Sequence, residues 1–321
     1  YSLAEARTQL RAIRTMPPHP RWEQVLASGL GSAGFSIVFG GGMLDCAASF
    51  VCGVLLWLFV LFVTAPHMSK IVGNIVGGFF VTGLCILFHR VGFGHSLPNM
   101  IIGAIIPLIP GVPFVNGVRD VANEDYIAGA TRLLDAMLVF FCIAAGVALA
   151  FVCDRLVTGS MIVLQGMSVD SFTAQMWVQI IASFIGTAAF AVLFGVPRRQ
   201  YVLCGVAGIL GWILYMLLVR YAGFTAPAAT VFATMLVVLS ARYFSVWDRC
   251  PAIVFLLCGI FPLVPGAGVF WTSYYVVSDQ LRLALDSGFM AVKVTIAIVL
   301  GIILISELPN RMFTIKRRSR A

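Results

Sequence analysis

The chain has 321 residues, of which 60% are hydrophobic and only 11% are charged, and its formal net charge is +8. Soluble domains carry about 25% charged residues, so this composition excludes an ordinary soluble domain. Apolar stretches of roughly 20 residues recur along the chain, which is the length that an α-helix needs to cross the hydrocarbon core of a bilayer. The sequence therefore predicts an all-α integral membrane protein.

The chain divides into two halves with five apolar spans in each. We expect a cytoplasmic amphipathic N-terminal segment at 1–21, a first five-helix repeat at 22–153, a linker at 154–176, a second five-helix repeat at 177–308 and a basic cytoplasmic tail at 309–321. The ten transmembrane helices are expected at about Trp22–Phe39, Leu44–Val63, Ile71–Phe88, Pro98–Val118, Tyr126–Cys153, Trp177–Phe194, Tyr201–Val219, Thr225–Val246, Pro251–Phe270 and Gly288–Leu308.

The two halves are copies of one another. When residues 22–40 are shifted by 155 positions onto 177–195, nine of the nineteen residues are identical. The same shift superimposes Pro107 on Pro262 and Gly111 on Gly266 without a gap, which indicates an internal repeat. Because each copy has an odd number of spans, the second copy must enter the membrane from the opposite side. The repeats are therefore expected to be inverted.

The distribution of basic residues predicts the orientation. If the N-terminus lies in the cytoplasm, fifteen lysine and arginine residues fall in cytoplasmic segments and four fall outside. The four outer residues are Arg90, Arg155, Arg220 and Arg282. Cytoplasmic loops of membrane proteins are enriched in Lys and Arg, so both termini are expected in the cytoplasm. Membrane topology thus accounts for the positive charge, and no nucleic-acid partner is implied.

A helix-breaking motif, Pro-x-x-Pro-Gly, interrupts the fourth span and recurs in the ninth. Its residues are Pro107, Pro110 and Gly111 in the first copy and Pro262, Pro265 and Gly266 in the second. A proline inside a helix removes an amide donor and clashes with the carbonyl four residues earlier, so the carbonyls of Gly103 and Ile106 are expected to be free. Both breaks lie about 14–16 Å along their spans, near the midplane. Paired breaks at this depth predict a substrate-binding site, and the simpler alternative is a pair of structural kinks.

Polar residues after the breaks are candidates for substrate contact and for gating. Asn116 and Thr272 could hydrogen-bond a polar substrate, although a buried amide that links helices is an equally common role for Asn116. The candidates for proton coupling or gating are Arg119, Asp120, Arg132 and Asp135. Arg132 and Asp135 are three residues apart and can pair on one helical face. For Arg119 and Asp120 the alternative is a solvated pair at a helix end.

Enzyme chemistry is not indicated by the sequence. The four histidines are scattered, and neither a zinc-protease motif nor a phosphate-binding loop is present. We therefore expect no catalytic residues, no metal and no cofactor. Near the midplane the spans offer no lysine or arginine for a second carboxylate, which favours a zwitterionic substrate over a dicarboxylate.

Several motifs resemble the threonine/serine exporter family. They are the entry Pro17-Pro18 with Arg21-Trp22, the turn Phe39–Gly42, the run Ile102–Pro113 and its continuation Asn116–Asp120. The resemblance covers nearly the whole chain and is looser after Gly266. In some members of that family the halves are separate polypeptides, and such a pair is linked to succinate export.

The resemblance implies a secondary exporter in the cytoplasmic membrane that moves threonine, serine or a related small polar metabolite, with protons as the coupling partner in an antiporter. The alternatives are a dicarboxylate exporter of succinate type with the same fold, or a passive channel. An intramembrane enzyme is the least favoured alternative. The sequence leaves an oligomer open.

Overall fold

The computed structural model describes residues 19–160, 162–164 and 175–309, together with Arg7. Within these ranges the secondary structure is helical and contains no strand, which confirms the all-α prediction. The main helices are α1 Arg21–Val38, α2 Met43–Phe59, α3 Lys70–Val91, α4 Leu97–Ile105, α5 Gly111–Ala122, α6 Tyr126–Thr158, α7 Met176–Leu193, α8 Tyr201–Arg220, α9 Ala226–Asp248, α10 Ala252–Gly259, α11 Gly266–Val277 and α12 Leu281–Ser306. The predicted amphipathic segment and basic tail lie almost entirely outside the described residues.

Seven of these helices are long and apolar enough to cross a membrane, or nine spans if each bent pair counts as one. The pairs are α4 with α5 and α10 with α11. The chain is therefore an integral membrane protein. The ten spans that the sequence predicts exceed this number because α1, which has a polar first turn and a series of serines and glycines, is not among the seven.

Helix α1 lies inside the bundle, as its small residues predict. It packs against α2, α4 and α7, and its serines at positions 28, 32 and 36 are fully buried. A Cβ atom at Gly34 would lie only 2.8 Å from the carbonyl oxygen of Ala182 on α7. Small residues allow such a close approach of two helix backbones, so this crossing depends on glycine.

The helices of the two halves follow the same offset as the sequence. Helix α7 starts 155 residues after α1, and α11 spans the same twelve positions as α5. The packing is reciprocal: α6 contacts α11 while α12 contacts α5, and α4 contacts α11 while α10 contacts α5. Each half thus presents equivalent surfaces to the other.

Several helices differ from those predicted in their extent or geometry. Helix α6 continues to Thr158, so the first residues of the predicted linker are helical; there Asp154 accepts two hydrogen bonds from Arg90 of α3, at 2.8 and 3.1 Å. Helix α12 begins at Leu281, seven residues before the predicted Gly288. Helix α2 continues into a π-helical turn at Val60–Thr64, whereas the equivalent part of α8 is regular α-helix.

Candidate functional site

The two Pro-x-x-Pro-Gly motifs form sharp bends with the same backbone geometry. The bend is 63° between α4 and α5 and 42° between α10 and α11. Pro110 (φ −80°, ψ 58°) and Pro265 (φ −76°, ψ 50°) are each the central residue of an inverse γ-turn. In each turn the glycine N–H donates to the carbonyl two residues earlier, at 2.8 Å. The predicted breaks in the fourth and ninth spans are therefore present.

The bends leave fewer free carbonyls than the sequence predicts. The first helix of each bent pair, α4 or α10, is followed by a 3₁₀ turn. This turn is Ile106–Leu108 after α4 and Phe261–Leu263 after α10. In the first turn the Ile109 N–H donates to the Ile106 carbonyl at 2.9 Å. The expectation of a free carbonyl at Ile106 is therefore wrong. Pro110 has no N–H to donate to this carbonyl, but the 3₁₀ turn brings the N–H of the preceding residue, Ile109, to it.

The two bends meet in the interior. A Cβ atom on Gly111 would lie 2.4 Å from the ring of Phe261, and one on Gly266 would lie 3.2 Å from Cδ1 of Ile109. The Phe261 ring stacks on Phe190 of α7, with 4.7 Å between the ring centroids. The first bend therefore contacts the second through buried side chains beside the α1–α7 crossing.

A cavity of about 340 Å³ lies against the second bend. Pro262, Val264 and Pro265 form its base, and the remaining walls come from the end of α1 and from α7, α8, α9, α11 and α12. Its polar or aromatic lining residues are Phe39, Gln179, Trp212, Tyr215, Arg220 and Thr230.

A buried hydrogen-bonded pair forms one wall of this cavity. The Trp212 indole N–H donates to Oε1 of Gln179 at 2.9 Å, and Nε2 of Gln179 donates to the Ile37 carbonyl at 3.0 Å. Gln179 is 2% exposed and Trp212 is 7% exposed. This network fixes the amide orientation and leaves a polar wall beside the bend.

Sequence reasoning missed these cavity residues. Gln179 and Trp212 could have been found, because the repeat offset pairs them with the identical residues Gln24 and Trp57. Arg220, which is predicted to lie in an outer segment, is the last residue of α8 and lines the cavity. The sequence predicts no lysine or arginine near the midplane, and Arg220 lines the cavity from the end of its helix.

The structure divides the predicted substrate-binding residues into separate groups. Pro262 and Pro265 line the cavity, and Gly266 is buried beside them. Pro107, Pro110 and Gly111 form the first bend, and none of these three lines that cavity. Thr272 instead faces a second, apolar cavity of about 350 Å³ between α6, α11 and α12. Its hydroxyl donates to the Gly268 carbonyl at 2.7 Å. Asn116 is half-buried in α5 and lines neither cavity.

The charged gating candidates form ion pairs between helices. Arg132 of α6 pairs with Asp120 of α5, and Asp135 of α6 pairs with Lys70 of α3. The pair that the sequence predicts between Arg132 and Asp135 is replaced by these two contacts, because both side chains reach acidic or basic partners on neighbouring helices. Arg119 is exposed in the last turn of α5. Within the described ranges no group of three or more His, Cys, Asp or Glu residues could hold a metal ion.

These features define a class of protein. The chain is an integral membrane protein with two equivalent broken helices that meet in the interior beside a largely apolar cavity with a few polar residues in its walls. Broken helices that pair in this way are typical of secondary transporters.

Two family profiles match this chain. Residues 1–153 match the family described as "Putative threonine/serine exporter", and residues 179–308 match the one described as "Threonine/Serine exporter, ThrE". The chain therefore belongs to the threonine/serine exporter family, which confirms the resemblance seen in its motifs.

Two curated relatives bear the same description. The chain is 22% identical over 284 residues to the "Threonine/serine exporter" of Corynebacterium glutamicum, an alignment that covers 86% of this chain and 57% of that protein. It is 24% identical over 305 residues to the "Probable threonine/serine exporter" of Mycobacterium tuberculosis (strain ATCC 25618 / H37Rv), covering 91% of this chain and 56% of that protein. The chain thus spans a little over half the length of these relatives. No solved structure matches it significantly.

Proposed function

We propose that this protein is a secondary active exporter of threonine or serine in the cytoplasmic membrane, driven by proton exchange. The observation that carries the proposal is the cavity of about 340 Å³ whose base is the second broken helix. Membership of the exporter family and the names of the two relatives support the substrate class.

The cavity chemistry suits a small zwitterion. Arg220 is a cation that a substrate carboxylate can approach, and a guanidinium can bind a carboxylate through two parallel hydrogen bonds. Tyr215 and Thr230 supply hydroxyl groups, and backbone carbonyls at the bend retain lone pairs that can accept from an ammonium group. Because Arg220 also suits one end of a dicarboxylate, succinate stays a candidate substrate.

We further propose that the repeats, at 22–153 and 177–308, are inverted and that both termini are cytoplasmic. The constant offset, the reciprocal packing and the positive-charge bias support this arrangement. In this orientation Arg220 marks the outer end of α8, so the cavity opens outward. The ion pairs of Arg198 with Glu23 and of Arg199 with Asp248 then lie at the inner end. The conformation described here is then outward-facing.

The topology proposal predicts the side on which single cysteines react. In a cysteine-free background, cysteines at positions 70, 198 and 249 should resist a membrane-impermeant maleimide in intact cells, and a cysteine at position 282 should react. Permeabilised cells should label at all four positions, which controls for burial. Labelling of position 198 but not of 282 in intact cells, with position 70 still protected, would rule out the inverted arrangement.

The transport proposal predicts saturable flux of threonine or serine. The protein is reconstituted in liposomes loaded with labelled threonine, serine or succinate, and release is measured with and without an imposed pH gradient. We expect saturable release of threonine or serine, accelerated by the gradient, and counterflow against unlabelled substrate. Saturable succinate release with no response to threonine or serine would favour the dicarboxylate alternative, and release without counterflow would favour a channel.

A further inference from the structure

One hydrogen-bonded pair occurs twice in the protein. The indole N–H of Trp57 donates to Oε1 of Gln24 at 3.3 Å, as Trp212 does to Gln179 at 2.9 Å. The two pairs are related by the offset of 155 residues. In the second repeat this pair forms a wall of the cavity of about 340 Å³ at the second bend, which we call the outer cavity. The first repeat therefore contains the same hydrogen-bonded pair at the equivalent positions, where Gln24 and Trp57 are partly buried.

The offset also maps other lining positions of this cavity onto the first repeat. Pro107 and Pro110 correspond to Pro262 and Pro265 at the base of the cavity. Asp135 corresponds to Met290, a lining residue of the cavity on α12. The wall position that is apolar in the second repeat therefore carries a carboxylate in the first.

The backbone of the first repeat also departs from the second along this wall. The π-helical turn Val60–Thr64 falls on the positions equivalent to Tyr215, Met216 and Val219, which all line the outer cavity. Single π-helical turns occur frequently at functional sites, because the extra residue changes which side chains face a neighbour. The π-helical turn thus lies in the part of α2 that is equivalent to the cavity lining of α8.

In this conformation Asp135 is bound by a primary ammonium group from the protein itself. Lys70 Nζ, at the start of α3, lies 2.5 Å from Oδ2 of Asp135. The ammonium group of an amino acid has the same charge and donor geometry as Nζ of lysine, so it could replace Lys70 at the same carboxylate.

We infer that the first repeat contains an inner half-site, formed by Gln24, Trp57, Pro107 and Asp135, at which Asp135 binds the ammonium group of a zwitterionic substrate after displacing Lys70. This inference rests on the proposed function, because it assigns a place to the substrate of that transporter. The outer cavity has Arg220 where the first repeat has Ala65. The two halves of the pathway thus offer opposite charges, suited to the two poles of a zwitterion.

The test measures substrate affinity at the inner face in everted membrane vesicles. Asp135→Asn should raise KM for threonine about ten- to one-hundredfold, since a hydrogen bond to a charged group is lost. It should leave unchanged the inhibition by 3-hydroxybutyrate, which is threonine without the amino group. Lys70→Met should lower KM for threonine, because the competing ammonium group is removed.

A second ion pair between the same helices provides the matched control. Arg90 of α3 binds Asp154 of α6 at the opposite ends of both helices, so Arg90→Met and Asp154→Asn should leave KM at the wild-type value. Equal effects of Asp135→Asn and Asp154→Asn, or an increase in KM with Lys70→Met, would refute the inner half-site. A lost response to pH with KM unchanged would also refute it and would assign proton transfer to Asp135. Absence of saturable threonine or serine flux in the wild type would instead overturn the proposed function and the half-site with it.

Discussion

Replacing Gly111 with alanine is expected to reduce transport about tenfold or more and to destabilise the protein by about 1–3 kcal/mol, the usual cost of overpacking a core. The new methyl group would lie 2.4 Å from Cε2 and 2.8 Å from Cζ of Phe261. The Phe261 ring cannot turn away easily, because it is 2% exposed and packs against Phe190 and Phe194 at centroid distances of 4.7 and 5.0 Å. The two bends would have to separate. Threonine or serine flux in liposomes and thermal unfolding in detergent would measure both effects.

The repeat supplies a matched control and a rescue for this prediction. Gly266→Ala introduces the same methyl group at the equivalent position, where the nearest atom is the flexible tip of Ile109 at 3.2 Å, so its effect should be small. Phe261→Ile places in the second bend the residue type found at position 106 of the first, and in combination with Gly111→Ala it should restore transport. Equal losses for the two glycine variants, or no rescue, would show that the contact between the bends is not critical.

The local features of the fold could be predicted because their causes are local. Proline removes a backbone donor wherever it occurs, so Pro110 and Pro265 fix the positions of the bends whatever packs around them. The preceding residues, Ile109 and Val264, have ψ angles of 131° and 134°, the extended conformation that a following proline favours. The register of the repeat could be predicted for the same reason, since identity at a fixed offset requires no knowledge of packing.

The cavity wall could not be predicted from local patterns, because it depends on which helix ends meet. Gln179 and Arg220 lie in different helices, and only the packing of α7 and α8 around the second bend places both in the lining of the cavity that contains Pro265. Thr272 shows the opposite error. Its hydroxyl suggested a ligand contact, but in a helix such a hydroxyl can bond to the carbonyl four residues earlier, and here it donates to Gly268.

Sequence spacing also failed to predict the partners of the charged residues, because these partners depend on how the helices pack. Arg132 and Asp135 are suitably spaced on one helix, but such a pair contributes only about 0.2–0.5 kcal/mol. Contacts with Asp120 and Lys70 on neighbouring helices compete with an interaction that weak. Interhelical geometry therefore decides the partners, and the repeat offset is what connects one of them, Asp135, with the substrate pathway.

Replacing Pro265 with alanine is expected to reduce transport about tenfold or more, while thermal stability is kept or rises. A variant that simply failed to fold would lose both. Alanine restores an N–H at position 265 and frees Val264 from its extended conformation, so the helix can continue further through the bend. Proline costs about 3 kcal/mol inside a helix, which outweighs the roughly 0.4–1 kcal/mol that it contributes by restricting the unfolded chain. Straightening the 42° bend would move the base of the cavity formed by Pro262, Val264 and Pro265.

Flux in liposomes and unfolding in detergent, measured on the same preparation of Pro265→Ala, test this prediction. Pro251→Ala is the control: Pro251 also precedes a helix of this pair, but it is exposed, stands before the first turn of α10 and does not line the cavity, so both readings should stay at the wild-type values. A melting temperature that falls together with transport would assign Pro265 a structural role. Wild-type flux in a stabilised Pro265→Ala protein would mean that the bend is a kink in the packing and that the substrate passes elsewhere.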